Sequence, residues 1–157
     1  MPLEQDFIDD CPYGPEGMLI DEILEIRPDR HFVRARMPTS PELPITRAQR
    51  THATRHPSHV SGGLMIHMTG MVAFVHSYYV LGLKHREGWI GYGVRIHDAK
   101  YTALANTKDP LILECTATRI RRIREQYFIR YCFAFKQNEK AIYEGDQSAI
   151  WQRVSSD

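Results

Sequence analysis

Apolar and polar positions change their period along this chain, and each change marks an element. From Gly62 to Leu83 the sequence reads GGLMIHMTGMVAFVHSYYVLGL, 22 residues with no Asp, Glu, Lys or Arg. Apolar side chains point in every direction around a helix drawn through it. Such a helix is buried in protein or in lipid, and the length alone would reach across a bilayer. Two histidines, a serine, a threonine and the strand-rich sequence that follows predict burial in protein. Ser61-Gly62-Gly63 is its predicted entry, with Ser61 in the N-cap position. Gly82 and Lys84-His85-Arg86 suit its end, because glycine takes the left-handed closing conformation and cations favour the carboxyl terminus.

Elsewhere the period is two. Phe32–Met37 puts Val33, Ala35 and Met37 on one face, which predicts a half-buried strand. The same alternation runs from Leu111 to Ile120 and from Tyr127 to Phe135. Gln137-Asn138-Glu139-Lys140 reads as a hairpin turn, followed by a last long strand over 141–154 with Gly145 as a bulge. Trp89–Tyr101 reads as a strand interrupted by Gly91 and Gly93. Residues 19–26 suit a short helix or a strand. Residues 38–44 carry three prolines and form a loop. Residues 46–57 are a strand edge or surface loop, and residues 1–12 a loosely ordered lead-in. Together these predict one α+β domain over 1–157, a curved antiparallel sheet wrapped around one long buried central helix.

The totals narrow the partners. A net charge of +1 over 157 residues gives no global pull toward nucleic acid or a membrane surface. Three cysteines, an odd number and widely spaced, fit a reducing compartment, and with no secretory signal the expected location is cytoplasmic. Charge is uneven: residues 1–30 hold nine acids and two arginines, while 43–86 hold no acid, five basic residues and six of the eight histidines.

That histidine-rich, acid-free stretch carries the candidate chemistry. Amide groups at a helix start lack helical partners and bear partial positive charge, and glycines there let a carbonyl approach. Gly62 and Gly63 are thus candidate donors to a developing oxyanion. His56 and His67 are candidate catalytic bases or water holders, and His59 is a candidate catalytic residue that would polarise the carbonyl or bind phosphate. His67 equally suits a core histidine bonded to a neighbour, and His56 and His59 equally suit a solvated loop. His76, nine residues beyond His67, faces the other way and is expected to be structural. Arg121 and Arg122, within the run from Arg119 to Arg124, suit phosphate groups or a solvated turn. His52, His56 and His59 do not follow a standard zinc spacing, and neither metal nor other cofactor is expected.

Two segments resemble known families. Tyr13 to Met37, YGPEGMLIDEILEIRPDRHFVRARM, is similar to the opening of the β-hydroxyacyl-carrier-protein dehydratases. Arg55-His56-Pro57 followed by Gly62-Gly63-Leu64-Met65-Ile66 resembles their Gly-His-Phe-Pro followed by Pro-Gly-Val-Leu-Ile. Thr54 to Phe74 also resembles the long-chain fatty-acyl-CoA thioesterases at His56, Val60, Leu64 and Ala73-Phe74. The resemblance implies a hotdog fold and an acyl thioester of coenzyme A or acyl carrier protein as substrate. It places the acyl chain along the central helix and the thioester carbonyl at Gly62 and Gly63. Hydrolysis by water held at His56 or His67 is the first expectation, with Arg121 and Arg122 at the coenzyme A phosphates. The alternatives are dehydration or hydration of a 3-hydroxyacyl or enoyl thioester, with His56 as base, and a non-catalytic acyl-thioester-binding protein. A homodimer or higher homo-oligomer is implied, with no nucleic-acid or membrane partner. The chain departs from both families in one respect. The dehydratase glutamate position falls near Met68, and residues 43–86 supply no carboxylate, so an acid would come from elsewhere, such as Asp98, or from a second subunit.

Overall fold

A computed structural model describes residues 1–155. Three helices and six strands alternate as α1 (Gln5–Asp10), α2 (Pro15–Met18), β1 (Glu22–Arg27), β2 (Phe32–Met37), α3 (Gly62–Tyr79), β3 (Trp89–Tyr101), β4 (Leu111–Ile123), β5 (Gln126–Gln137) and β6 (Lys140–Arg153). The strands form one antiparallel sheet in the order β1-β2-β4-β5-β6-β3. α3 lies against β2, β4 and β3. Burial alternates along β2 as the sequence predicts, with Val33, Ala35 and Met37 fully buried. β4 does the same at Leu111, Leu113 and Cys115.

α3 is buried nearly all round, on Leu64, Met65, Met68, Met71, Val72 and Val75 among others. It ends at Tyr79, before Gly82 and the cations. Gly82 still takes a left-handed conformation (φ 68°), but in the turn that follows. Lys84-His85-Arg86 therefore does not close the helix. His85–Glu87 is a separate 3-10 turn.

Residues 1–12 are not a loose lead-in. Phe7 of α1 is buried against Tyr78 and Tyr79 of α3. Asp10, also buried, accepts the backbone N–H groups of His85 and Arg86, both at 2.8 Å. An acidic segment is thus held because one of its acids caps a turn from the other end of the central helix.

Other expectations sharpen. Residues 19–26 resolve into strand β1 from Glu22. Residues 46–57 form a 3-10 turn at Thr46–Ala48 and a loop closed by the backbone pair His52–His56. Asn138 and Glu139 both have positive φ, as a two-residue hairpin turn needs. Gly145 is not a bulge; it pairs in register with Phe133 and Ala99. A Cβ there would lie 2.6 Å from the Tyr143 hydroxyl, so the glycine makes room for that ring.

Candidate active site

A cavity of about 780 Å³ opens between α3 and strands β3, β5 and β6. Its helix wall carries Ile66, His67, Gly70 and Phe74, and its sheet walls include Gly93, Tyr131, Phe133, Gln147 and Trp151. Pro12 and Tyr13, from the segment ahead of α2, also line it. Among the described residues, no Asp or Glu lines the cavity. Asp98 is exposed beside Lys100, with Nζ at 3.7 Å, and is not among the lining residues.

Of the sequence candidates, His67 reaches the cavity. α2 is one turn long, so its last carbonyls have no helical partner. The Gly17 carbonyl sits 2.7 Å from His67 Nε2. A carbonyl only accepts, so Nε2 carries the proton and donates. In the neutral ring Nδ1 is then the acceptor, and among the described residues it has no hydrogen-bond partner. The Tyr13 ring meets the imidazole edge-on, with centroids 5.1 Å apart. Three neighbours thus fix the ring's place: its own helix, the Gly17 carbonyl and the Tyr13 ring.

The other candidates lie elsewhere. Gly63 is exposed at the tip of α3, one turn before His67 on the same helix face, and Gly62 is half-buried under Tyr101. The Tyr101 hydroxyl donates to the Gly62 carbonyl at 2.9 Å. Neither glycine lines the cavity. Ser61 occupies the N-cap position, but its hydroxyl makes no capping hydrogen bond, which leaves the first-turn N–H groups uncapped by it. His56 is exposed and His59 half-buried on the loop, with their rings 5.2 Å apart. His59 Nδ1 is 2.8 Å from the Pro57 carbonyl. His52 Nδ1 already accepts from Thr54 N and Arg55 N. Arg121 and Arg122 are exposed at the end of β4. The Arg122 guanidinium lies over the Tyr127 ring and donates to the Arg124 carbonyl.

His76 faces away from His67 as expected and is completely buried. Burial first, then repulsion from His31, lowers its pKa from the usual 6.5 to about 4. Nδ1 of the neutral ring shares a hydrogen bond with the Tyr131 hydroxyl at 3.3 Å, and the buried Nε2 has no partner among the described residues.

A polar pair inside the cavity escaped the sequence reading. The Thr69 hydroxyl lies 2.6 Å from the Ile66 carbonyl and 3.2 Å from the Gln147 side-chain amide. The hydroxyl proton lies between two acceptors, the Ile66 carbonyl and Gln147 Oε1, and Gln147 Nε2 donates to the Tyr143 hydroxyl at 3.4 Å. Tyr143, Gly145, Gln147, Ala149 and Trp151 are the inward positions of β6. Gln147 is the polar side chain among them, and that break in an apolar row is the signal the sequence carried.

No family model matches this sequence, and no curated protein does. Solved structures do match. One chain of the dehydratase heterocomplex ApeI:P from Xenorhabdus doucetiae superposes with a TM-score of 0.68 at 12% identity, covering 99% of this chain and 93% of that one. A mutant thioesterase from Pseudomonas aeruginosa gives 0.63 at 13% identity, covering 98% and 96%. A thioesterase from Haemophilus influenzae gives 0.61 at 13% identity, covering 95% and 90%.

The chain has the hotdog fold.

Each superposition covers 95% or more of this chain. At these identities the hotdog likeness speaks for architecture. Among the described residues, no helix is long and apolar enough to cross a membrane.

Proposed function

We propose that this hotdog protein binds an acyl thioester and hydrolyses it. The observation that carries the reading is the tautomer of His67. Its Nε2–H is spent on the Gly17 carbonyl, which leaves Nδ1 as the acceptor, and the residue lines an aromatic-walled cavity large enough for an acyl group.

In the proposed reaction, Nδ1 takes a proton from a water molecule as the oxygen attacks the thioester carbon. The carbonyl oxygen gains negative charge and, in this scheme, points out of the cavity toward the tip of α3, one turn before His67, where the first-turn N–H groups of Gly62 and Gly63 stabilise it. The tetrahedral intermediate collapses, the carbon–sulfur bond breaks, and the thiolate leaves with the proton from His67. The products are a carboxylic acid and a thiol. His67 rather than His56 holds the water in this scheme, because His56 is an exposed loop residue outside the cavity lining. Exposed Arg121 meets the phosphates of coenzyme A, with Arg122 beside it.

The site is completed by a second copy of the chain. β3 is the outer strand of the sheet, with one edge of its ladder unpaired and Val94 and Ile96 half exposed. Such an edge is a template for another strand, and the cavity opens along it. A homodimer through β3 satisfies both.

The dehydratase among the structural neighbours and the Thr69–Gln147 pair inside the cavity favour a second reading. A polar pair facing the acyl carbons suits a 3-hydroxyacyl or enoyl thioester, with water added or removed at carbons 2 and 3.

The test is free-thiol release from a panel of acyl-CoA thioesters and an acyl carrier protein thioester. Wild type releases thiol, and His67→Ala loses about 100-fold or more in kcat, the scale of a lost general base. Equal rates in both proteins would remove His67 from the mechanism. Water addition to an enoyl thioester without thiol release would establish the second reading. Tight binding with neither reaction would make the protein an acyl-thioester binder.

A further inference from the structure

The helix wall of the cavity advances in steps of three and four residues from His67 through Gly70 to Phe74, so the three share one face. At 1.5 Å per residue, Gly70 stands about 4.5 Å beyond His67 along the axis and Phe74 about 10 Å beyond it.

Gly70 has no local reason to be glycine. It lies inside a helix, where glycine is disfavoured. Its φ is not positive, and a Cβ added to it would meet nothing within 4 Å. Gly93 on the opposite β3 wall has the same two properties. What these glycines do is leave room. Phe74 does the reverse. Its ring crosses the Trp151 indole edge-to-face, with centroids 5.3 Å apart and planes at 88°. Both rings line the cavity on one side. On the other they line a satellite pocket of about 10 Å³, closed by Phe7, Tyr78, Leu83 and Trp89 with the polar Asp10 and Ser77. Together with Pro12 and His85, which also line both, the pair forms a partition between two spaces.

We infer that Gly70 and the Phe74–Trp151 partition select the acyl group: it passes Gly70 and stops at the aromatic pair. The site therefore takes short to medium-length acyl groups and excludes long fatty chains. The inference rests on the acyl-thioester reading above.

The test compares wild type, Gly70→Ala, Gly70→Leu and Phe74→Ala across straight-chain acyl-CoAs from acetyl to palmitoyl. Both kcat/KM for thiol release and the dissociation constant are measured, with thermal melts confirming that each variant is folded. In wild type kcat/KM peaks at short to medium chains and falls at least tenfold by palmitoyl. Phe74→Ala moves the peak to longer chains, because removing the ring joins the two spaces. Gly70→Leu loses at least tenfold at the wild-type optimum, with the loss smallest for acetyl-CoA, and Gly70→Ala shows the same trend more weakly. A chain-length profile shared by all four proteins overturns the inference. A wild type that peaks at palmitoyl does so too. If wild type releases no thiol, the hydrolysis reading fails on that result alone. The dissociation constants then decide the inference: the same shifts support it, and an unshifted order overturns it.

Discussion

His76 shows how one buried side chain ties stability to pH. Its folded pKa lies near 4 because burial disfavours the cation and His31 repels it, whereas in the unfolded chain it titrates near the usual 6.5. Between those values the unfolded chain holds a proton that the folded chain does not, so folding weakens as pH falls from about 6.5 to about 4. Above that window the stabilisation is complete. The upper limit of the loss is about 3 kcal/mol. Urea unfolding at pH 7 and pH 4.5 checks it: His76→Asn, which keeps an acceptor for the Tyr131 hydroxyl, flattens the dependence. An unchanged slope would mean that other groups drive it. The sequence placed His76 away from His67 by helical periodicity, but not the rings around it, Tyr131 from β5 and His31 from the turn between β1 and β2. His67 was legible as a helical histidine facing either core or cavity. The partner that settles its tautomer, Gly17, lies 50 positions away, and nothing local connects them.

At the scale of elements, the strands and the central helix were legible because each repeats one pattern over many residues. β2 and β3 appear with the predicted ends. Short segments were not legible. α1 is six residues long, too short for a periodic pattern, and is held by Asp10 accepting two N–H groups from the turn after α3. Hydrogen bonds to a charged acceptor contribute about 1.5–3 kcal/mol each. Asp10→Ala is therefore expected to destabilise the fold by about 3–6 kcal/mol in urea unfolding. A change under about 0.5 kcal/mol, the ordinary range for a surface substitution, would show that α1 is not held this way. α3 carries its own test. Gly70→Ala removes an interior helical glycine where a methyl group meets no neighbour, so it stabilises the protein by about 1 kcal/mol while narrowing the cavity. A melting temperature below wild type would show that the site is tightly packed after all.

For the whole molecule, the open edge of β3 is the feature that a single chain leaves unresolved. Its outer ladder edge is unpaired, Val94 is 48% exposed and Ile96 50%, and the cavity opens beside it. The proposed homodimer predicts that the wild type sediments at twice the chain mass, and that Val94→Lys with Ile96→Lys shifts it toward a monomer with reduced thiol release. A wild-type monomer with full activity would show that one chain makes a complete site. The acid-free stretch from 43 to 86 also acquires its meaning at this scale. Among the described residues no carboxylate lines the cavity, and the proposed chemistry falls to an imidazole positioned by a carbonyl.

The most direct measurement is nitrogen-15 NMR of the histidine rings, with and without a thioether analogue of an acyl-CoA that resists hydrolysis. His67 is expected to be protonated at Nε2 in the free protein, and its Nδ1 resonance to shift when the analogue binds. A His67 resonance that stays still while His56 and His59 move would place the ligand on the exposed loop and contradict the account.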